Sequence, residues 1–308
     1  MAAFAPLKRP GHERAKILLI GDSITQLSFS AQHRGWGAGL AEWYQRTADV
    51  VNRGFSGHNS RWVRQSLAHI LPATRGEDFV LATVFLGAND AVVCAPVDGD
   101  ARAGHGGGQH VSVDEYASNI AAIVDAVRAS CPCAAVLLIT PPPVDSTLWP
   151  NRSIPQVRRL SSLFHHPHPR VHPARCSVPR TPSHDQVRPY RDAVLAVAKE
   201  RGALALDLWT PHPRHAPDAP DAPGTGTGTG TIAPIDLSDL CDGLHLAGTG
   251  NDKVLWGIQS IVREKLPALV PEDIAGLPNV ALHLPHWSVL TGKSEEETAG
   301  LLGGWAWP

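Results

Sequence analysis

Four short polar blocks in this sequence hold residue types that can work together. They are Gly21-Asp22-Ser23, Asn52 to Gly57 (NRGFSG), Gly87 to Asp90 (GAND) and Asp242 to His245 (DGLH). Together they contain the parts needed for acyl transfer. Ser23 brings a hydroxyl, which is a poor nucleophile until a base takes its proton. His245 can be that base, because histidine titrates near neutrality. Asp242, three residues earlier, can hold the other ring nitrogen and stabilise the imidazolium that forms. The tetrahedral intermediate of such a reaction needs donors for its oxyanion. Three are available: the Ser23 N–H at a helix start, the Gly57 N–H, where glycine allows close backbone approach, and the Asn89 side-chain amide.

Each block has an ordinary reading when taken alone. Gly-Asp-Ser is a common turn, with Ser as a helix cap. Gly57 alone is a turn glycine, and Asn89-Asp90 alone is a cap. Sixteen histidines make a chance D-x-x-H plausible, although DGLH is the only one in the chain. The order and placement of all four blocks carry the catalytic reading. Asp22 and Asp90 are alternative partners for the imidazole, and the expectation for both is capping and hydrogen bonding within the site loops. Trp36, in GWG (35–37), either lines a substrate pocket or packs at a helix start. Arg61 and Trp62 are expected to open a helix.

Five apolar runs have to position these blocks: KILLI (16–20), DVVN (49–52), FVLATVFL (79–86), AAVLLIT (134–140) and ALALDL (203–208). Short, nearly continuous apolar runs fit strands covered on both faces. Helical patterns alternate with them, over 37–47, 61–71, 112–130, 185–202 and 248–266. Ser112 with Glu115 forms a capping box for the third, and Gly202 stops the fourth. Alternation of this kind predicts a parallel, doubly wound sheet with helices on both faces, and such sheets carry their sites at the carboxyl ends of the strands. The first three blocks follow the first three strands, and DGLH leads into the last helix. All four can therefore meet at one edge.

The chain has 308 residues and 43% hydrophobic residues, enough for one large α/β domain. A net charge of −2 gives no electrostatic reason to expect a nucleic acid or a membrane surface. Cys94, Cys131, Cys133, Cys176 and Cys241 are odd in number and irregular in spacing, as expected of reduced thiols rather than a disulfide framework. With no signal-peptide pattern and no apolar run near the ~20 residues of a membrane span, a cytoplasmic protein is expected. The expected organisation is a flexible N-terminus (1–14), one domain (15–270) and a tail (271–308) of unassigned role. Loop insertions interrupt the domain at 150–184, rich in Pro, His and Arg, and at 211–234, which contains APDAPDAP and GTGTGTGT. The tract HHPHPRVHP (165–173) lacks a regular ligand spacing, so no metal site is expected there. GTGTGTGT lacks the Lys-Ser/Thr ending of a phosphate loop. Oligomeric state is left open.

The four blocks together resemble the GDSL, or SGNH, hydrolase family, whose name records one Ser, Gly, Asn and His in four blocks. The matching positions are Ser23, Gly57, Asn89 and His245, with Asp242 at the place of the aspartate that completes the family's triad. Ile24 stands where the short motif has Leu. The stretches GDSITQLSF, GWGAGLAEWYQRTADVVNRGFSGHNSRW, FLGANDA, QHVSVDEYASNI, LLITPPPVD, LDLW and DGLHLAGTGN resemble the isoamyl acetate-hydrolysing esterase branch over most of 15–265. The resemblance implies a flavodoxin-like three-layer α/β/α sandwich with a five-stranded parallel sheet of order 2-1-3-4-5. It also implies a cofactor-free serine esterase acting on small-molecule esters, such as acetates, and water. A carbohydrate O-acetylesterase, lysophospholipase, thioesterase or acyltransferase would use the same residues. A binding module that has lost activity is the alternative outside enzymes. The two insertions and the tail depart from the branch pattern.

Overall fold

The computed structural model describes residues 14–45, 47–73, 76, 78–94, 109–145, 179–180, 184–215, 229–271, 294 and 297. Its centre is a five-stranded parallel sheet. The strands are β1 (Ala15–Gly21), β2 (Ala48–Gly54), β3 (Phe79–Phe85), β4 (Ala135–Ile139) and β5 (Leu204–Leu206), in the order 2-1-3-4-5. All five apolar runs are strands. Ile17, Leu18, Leu19 and Ile20 of β1 are all buried, as are all seven residues of β3 and all five of β4. Both faces of these central strands are covered, which is why their sequence is continuously apolar rather than alternating.

Register decides where the site can form. Gly21 of β1 pairs with Gly54 of β2 and with Phe85 of β3, and Phe85 pairs with Ile139 of β4. The four strands thus end at one level, and the chain after each emerges on the same edge of the sheet.

The helices are α1 (Ser23–Gln26), α2 (Trp36–Trp43), α3 (Ser60–Gln65), α4 (Leu67–Ile70), α5 (Val113–Ser130), α6 (His184–Arg201) and α7 (Gly248–Lys265). α3, α5 and α6 pack side by side, and α2 packs with α7, giving the two outer layers of a three-layer α/β/α sandwich. The Ser112 side chain accepts from Glu115 N, capping α5, and Gly202 closes α6 at φ +58°. The single helix expected over 61–71 is two. Ser66 N bonds back to both Trp62 O and Val63 O, closing α3 before α4 begins. The helix expected over 37–47 ends at Trp43, with Tyr44 as its C-cap.

The expected insertion at 211–234 is not wholly irregular. Its ends form an antiparallel ribbon of β6 (His212–His215) and β7 (Thr229–Ile232), which packs on α7, where Ser260 Oγ donates to Pro213 O at 2.7 Å. Residues 216–228 lie outside the described residues, as do the N-terminal segment 1–13 and most of the 150–184 insertion and the 271–308 tail, so the metal expectation over 165–173 does too. No helix among the described residues is long and apolar enough to cross a membrane.

Candidate active site

The turn after β1 presents Ser23. Asp22 is the N-cap of α1, its Oδ1 accepting from Ile24 N at 2.9 Å, and this places Ser23 in the first turn of the helix. The first N–H groups of a helix have no acceptor within it, so the Ser23 N–H is left to serve another oxygen. Ser23 is buried, with 6% of its surface exposed.

The loop after β2 is tied to that turn by side-chain amides. Asn52 Nδ2 donates to Thr25 O at 2.8 Å, and its Oδ1 accepts from Gly54 N at 2.8 Å. Gln26 Oε1 accepts from Ser56 N at 2.7 Å, and Phe55 N donates to Gly21 O at 2.9 Å. Gly57 sits at φ +78°, a conformation that L side chains rarely adopt. Gly54 approaches the backbone of α1 so closely that a Cβ there would stand 2.1 Å from Gln26 N.

DGLH folds as a tight hairpin. Leu240 and Leu246 form an antiparallel bridge, and Cys241 N donates to His245 O at 2.8 Å. Gly243 at φ +88° makes the reversal possible. Asp242 Oδ1 accepts from the backbone N–H of Leu244 (3.0 Å) and of His245 (2.7 Å). Its Oδ2 lies 2.7 Å from His245 Nδ1, and His245 Nε2 lies 2.9 Å from Ser23 Oγ. Ser23 and His245 are 222 residues apart in the chain. Burial pushes the Asp242 carboxyl up. The bond and charge of His245 and the two backbone N–H groups outweigh that and hold it below the usual carboxylate value.

Asn89 lies between the Ser23 turn and the loop after β2. Its Nδ2 donates to His58 O at 3.0 Å and approaches Asp22 Oδ2 at 3.4 Å. The structure therefore brings Ser23, Asn89, Asp242 and His245 into one cluster with Gly57 beside it. Asp22 and Asp90 take the structural places expected of them. Asp22 caps α1. Asp90 accepts from Ser60 N (3.0 and 3.1 Å) and Ser60 Oγ (2.5 Å), anchoring the start of α3 beneath the Asn89 turn. Burial drives both carboxyls up, Asp22 to about 6 and Asp90 to about 7.

Trp36 is a correction. Its side chain has no exposed surface and stands in the core, tilted against Phe85 at 6.3 Å between ring centroids. It packs at the start of α2, behind the site, and does not line an accessible pocket. Arg61 lies in α3 and pairs with Glu115 of α5 through Nε and Nη2, at 2.5 and 2.6 Å. Among the described residues, no three His, Cys, Asp or Glu side chains come together as a metal site. The residues that sequence reasoning missed are the amides and hydroxyls that fasten the blocks to each other: Gln26, Asn52, Asn59, Ser60 and Gln109. None has a chemical signature in sequence, since a lone amide means little until the fold supplies its partner.

Comparison with known proteins bears on the family and the fold. A model of the GDSL-like Lipase/Acylhydrolase family matches residues 19–253. The isoamyl acetate-hydrolyzing esterase 1 homolog of Bos taurus is 33% identical over 282 residues, covering 89% of this chain and 92% of its own. A GDSL esterase/lipase of Arabidopsis thaliana is 32% identical over 275 residues, covering 88% and 92%. A solved structure from Bacteroides fragilis shares the fold at 14% identity with a TM-score of 0.50, over 84% of this chain and 92% of that one.

Proposed function

The chain belongs to the GDSL-like lipase/acylhydrolase family and is a carboxylic ester hydrolase; from that premise we propose that it cleaves small acetate-type esters through a Ser23–His245–Asp242 triad. One observation carries this reading: the unbroken hydrogen-bonded line from Asp242 Oδ2 through His245 to Ser23 Oγ, at 2.7 and 2.9 Å. Both distances are within the reach that a base and its nucleophile need.

In the proposed reaction Ser23 Oγ attacks the ester carbonyl carbon while His245 Nε2 takes the hydroxyl proton. The carbonyl π electrons move onto oxygen. The oxyanion is met by the Ser23 N–H, the Gly57 N–H and Asn89 Nδ2. Asp242 holds the imidazolium by its Nδ1 proton. The intermediate collapses, the C–O bond to the alcohol breaks, and His245 Nε2 gives that oxygen the proton. Water then repeats the sequence on the acyl-enzyme, releasing the acid and restoring Ser23. The substrate class is supported by the name of the Bos taurus relative, isoamyl acetate-hydrolyzing esterase 1 homolog.

The test is a panel of short acetates, acetylated sugars and long-chain acyl esters assayed on wild type and Ser23→Ala. Labelling by a fluorophosphonate probe is measured in parallel. The expected result is highest kcat/KM on the short acetates, with kcat lowered about 10^4- to 10^6-fold in Ser23→Ala. Preference for sugars or long acyl chains would move the substrate class and leave the nucleophile. A folded wild type that does not label, or a Ser23→Ala protein that labels equally, would sink the triad and favour a binding module.

A further inference from the structure

We propose that Gln109 is a positioning residue that clamps two oxyanion donors, Gly57 and Asn89, at a fixed separation; this rests on the reading of those residues as oxyanion donors. Its side-chain amide lies between the two blocks. Gln109 Nε2 donates to Gly57 O at 3.0 Å and to Asn89 Oδ1 at 3.3 Å. A primary amide carries two N–H groups, so one nitrogen can serve both oxygens.

The second bond orients Asn89. With Oδ1 turned to Gln109, the Asn89 NH2 faces the other way, toward the nucleophile turn. One hydrogen is taken by His58 O at 3.0 Å. The other goes to Asp22 Oδ2 at 3.4 Å, the longest of the three contacts that the Asn89 amide makes. That long bond is the one an oxyanion can replace at little cost. His58 O and Asp22 favour the same amide orientation. What Gln109 adds is the link from the Asn89 amide to the Gly57 backbone, so that neither donor moves without the other.

The clamp is itself held on a rigid element. Asn59, fully buried, donates from Nδ2 to Gln109 O at 2.8 Å, and its Oδ1 caps α3 by accepting from Trp62 N at 2.9 Å. A donor pair placed in advance lowers the barrier without tightening the ground state, so its loss falls on kcat rather than KM.

The experiment measures p-nitrophenyl acetate hydrolysis by full-length Gln109→Leu, which removes both N–H donors, and Gln109→Glu, which keeps the shape but presents acceptors. Turnover is normalised to active sites titrated with a fluorophosphonate, so that loss of folded protein is counted separately. The expected result is a fall in kcat of about 10- to 100-fold with KM changed less than about threefold. In an Asn89→Ala background, the same Gln109→Leu change is expected to cost at least fivefold less. The proposal is overturned by normalised kcat within threefold of wild type, by an effect confined to KM, or by an equal factor in both backgrounds. If wild type shows no Ser23-dependent hydrolysis, the parent reading has failed instead. Normal Ser23-dependent wild-type activity with unaltered Gln109 variants removes the clamp alone.

Discussion

The Asp242 carboxylate accepts three hydrogen bonds within one tight turn, two from backbone N–H groups and one from the imidazole it faces. In the proposed triad this arrangement fixes the proton on Nδ1 and leaves Nε2 as the acceptor for Ser23. Asp242→Asn would put an NH2 group against Nδ1 and favour the opposite tautomer, in which Nε2 is already protonated. The expected outcome is a fall in kcat of about 10^2- to 10^4-fold, with the fold retained by circular dichroism. A variant within tenfold of wild type would show that Asp242 does not orient the ring. At this scale the sequence was informative for groups with chemistry of their own. Ser23, His245 and Asp242 could be assembled from D-x-x-H and a strand-end Ser. Gln109 could not, because its value comes from two partners 52 and 20 residues away. Trp36 misled for the opposite reason, since an aromatic residue near a motif looks the same in sequence whether it faces a pocket or the core.

β1 and β2 end side by side, and the loops that follow them are joined through glycine at the point of closest approach. A Cβ on Gly54 would lie 2.1 Å from Gln26 N and 2.6 Å from Gln26 Cα and Thr25 C, all backbone atoms that cannot rotate away. Gly54→Ala must therefore push α1 off the sheet. The expected cost is about 1–3 kcal/mol of stability, read as a lower Tm, together with a loss of kcat because Ser23 moves with α1. Normal kcat with a lowered Tm would show that α1 adjusts without disturbing the nucleophile. The five core strands were legible because parallel strands buried on both faces are continuously apolar. α1 was not, because four residues contain no helical period to detect. The break at Ser66 escaped notice because the apolar spacing runs on across it. The β6–β7 ribbon was hidden because its arms, HPRH and TGTI, have no apolar alternation.

The molecule as a whole keeps two carboxyls, Asp22 and Asp90, buried under the edge that carries the proposed triad. Their ordinary value is 3.8, and burial raises them to about 6 and about 7. Between about pH 4 and about pH 7 the folded protein therefore holds protons that the unfolded chain has released. The native state binds more protons in this window, so the contribution of these groups to stability falls as pH rises and levels off above it. Asp90→Asn removes the larger part. Denaturation of wild type and variant across this range should show the variant gaining relative stability as pH increases, and a constant difference would remove the argument. The proposed triad at this edge has a consequence during synthesis. Ser23 and His245, 222 residues apart, can meet only after residue 245 has been made. At about 5–20 residues per second, a ribosome completes His245 about 10–45 s after Ser23. On the proposed triad, the nascent chain carries Ser23 without its base throughout that interval, and hydrolytic competence waits for the DGLH turn that precedes α7.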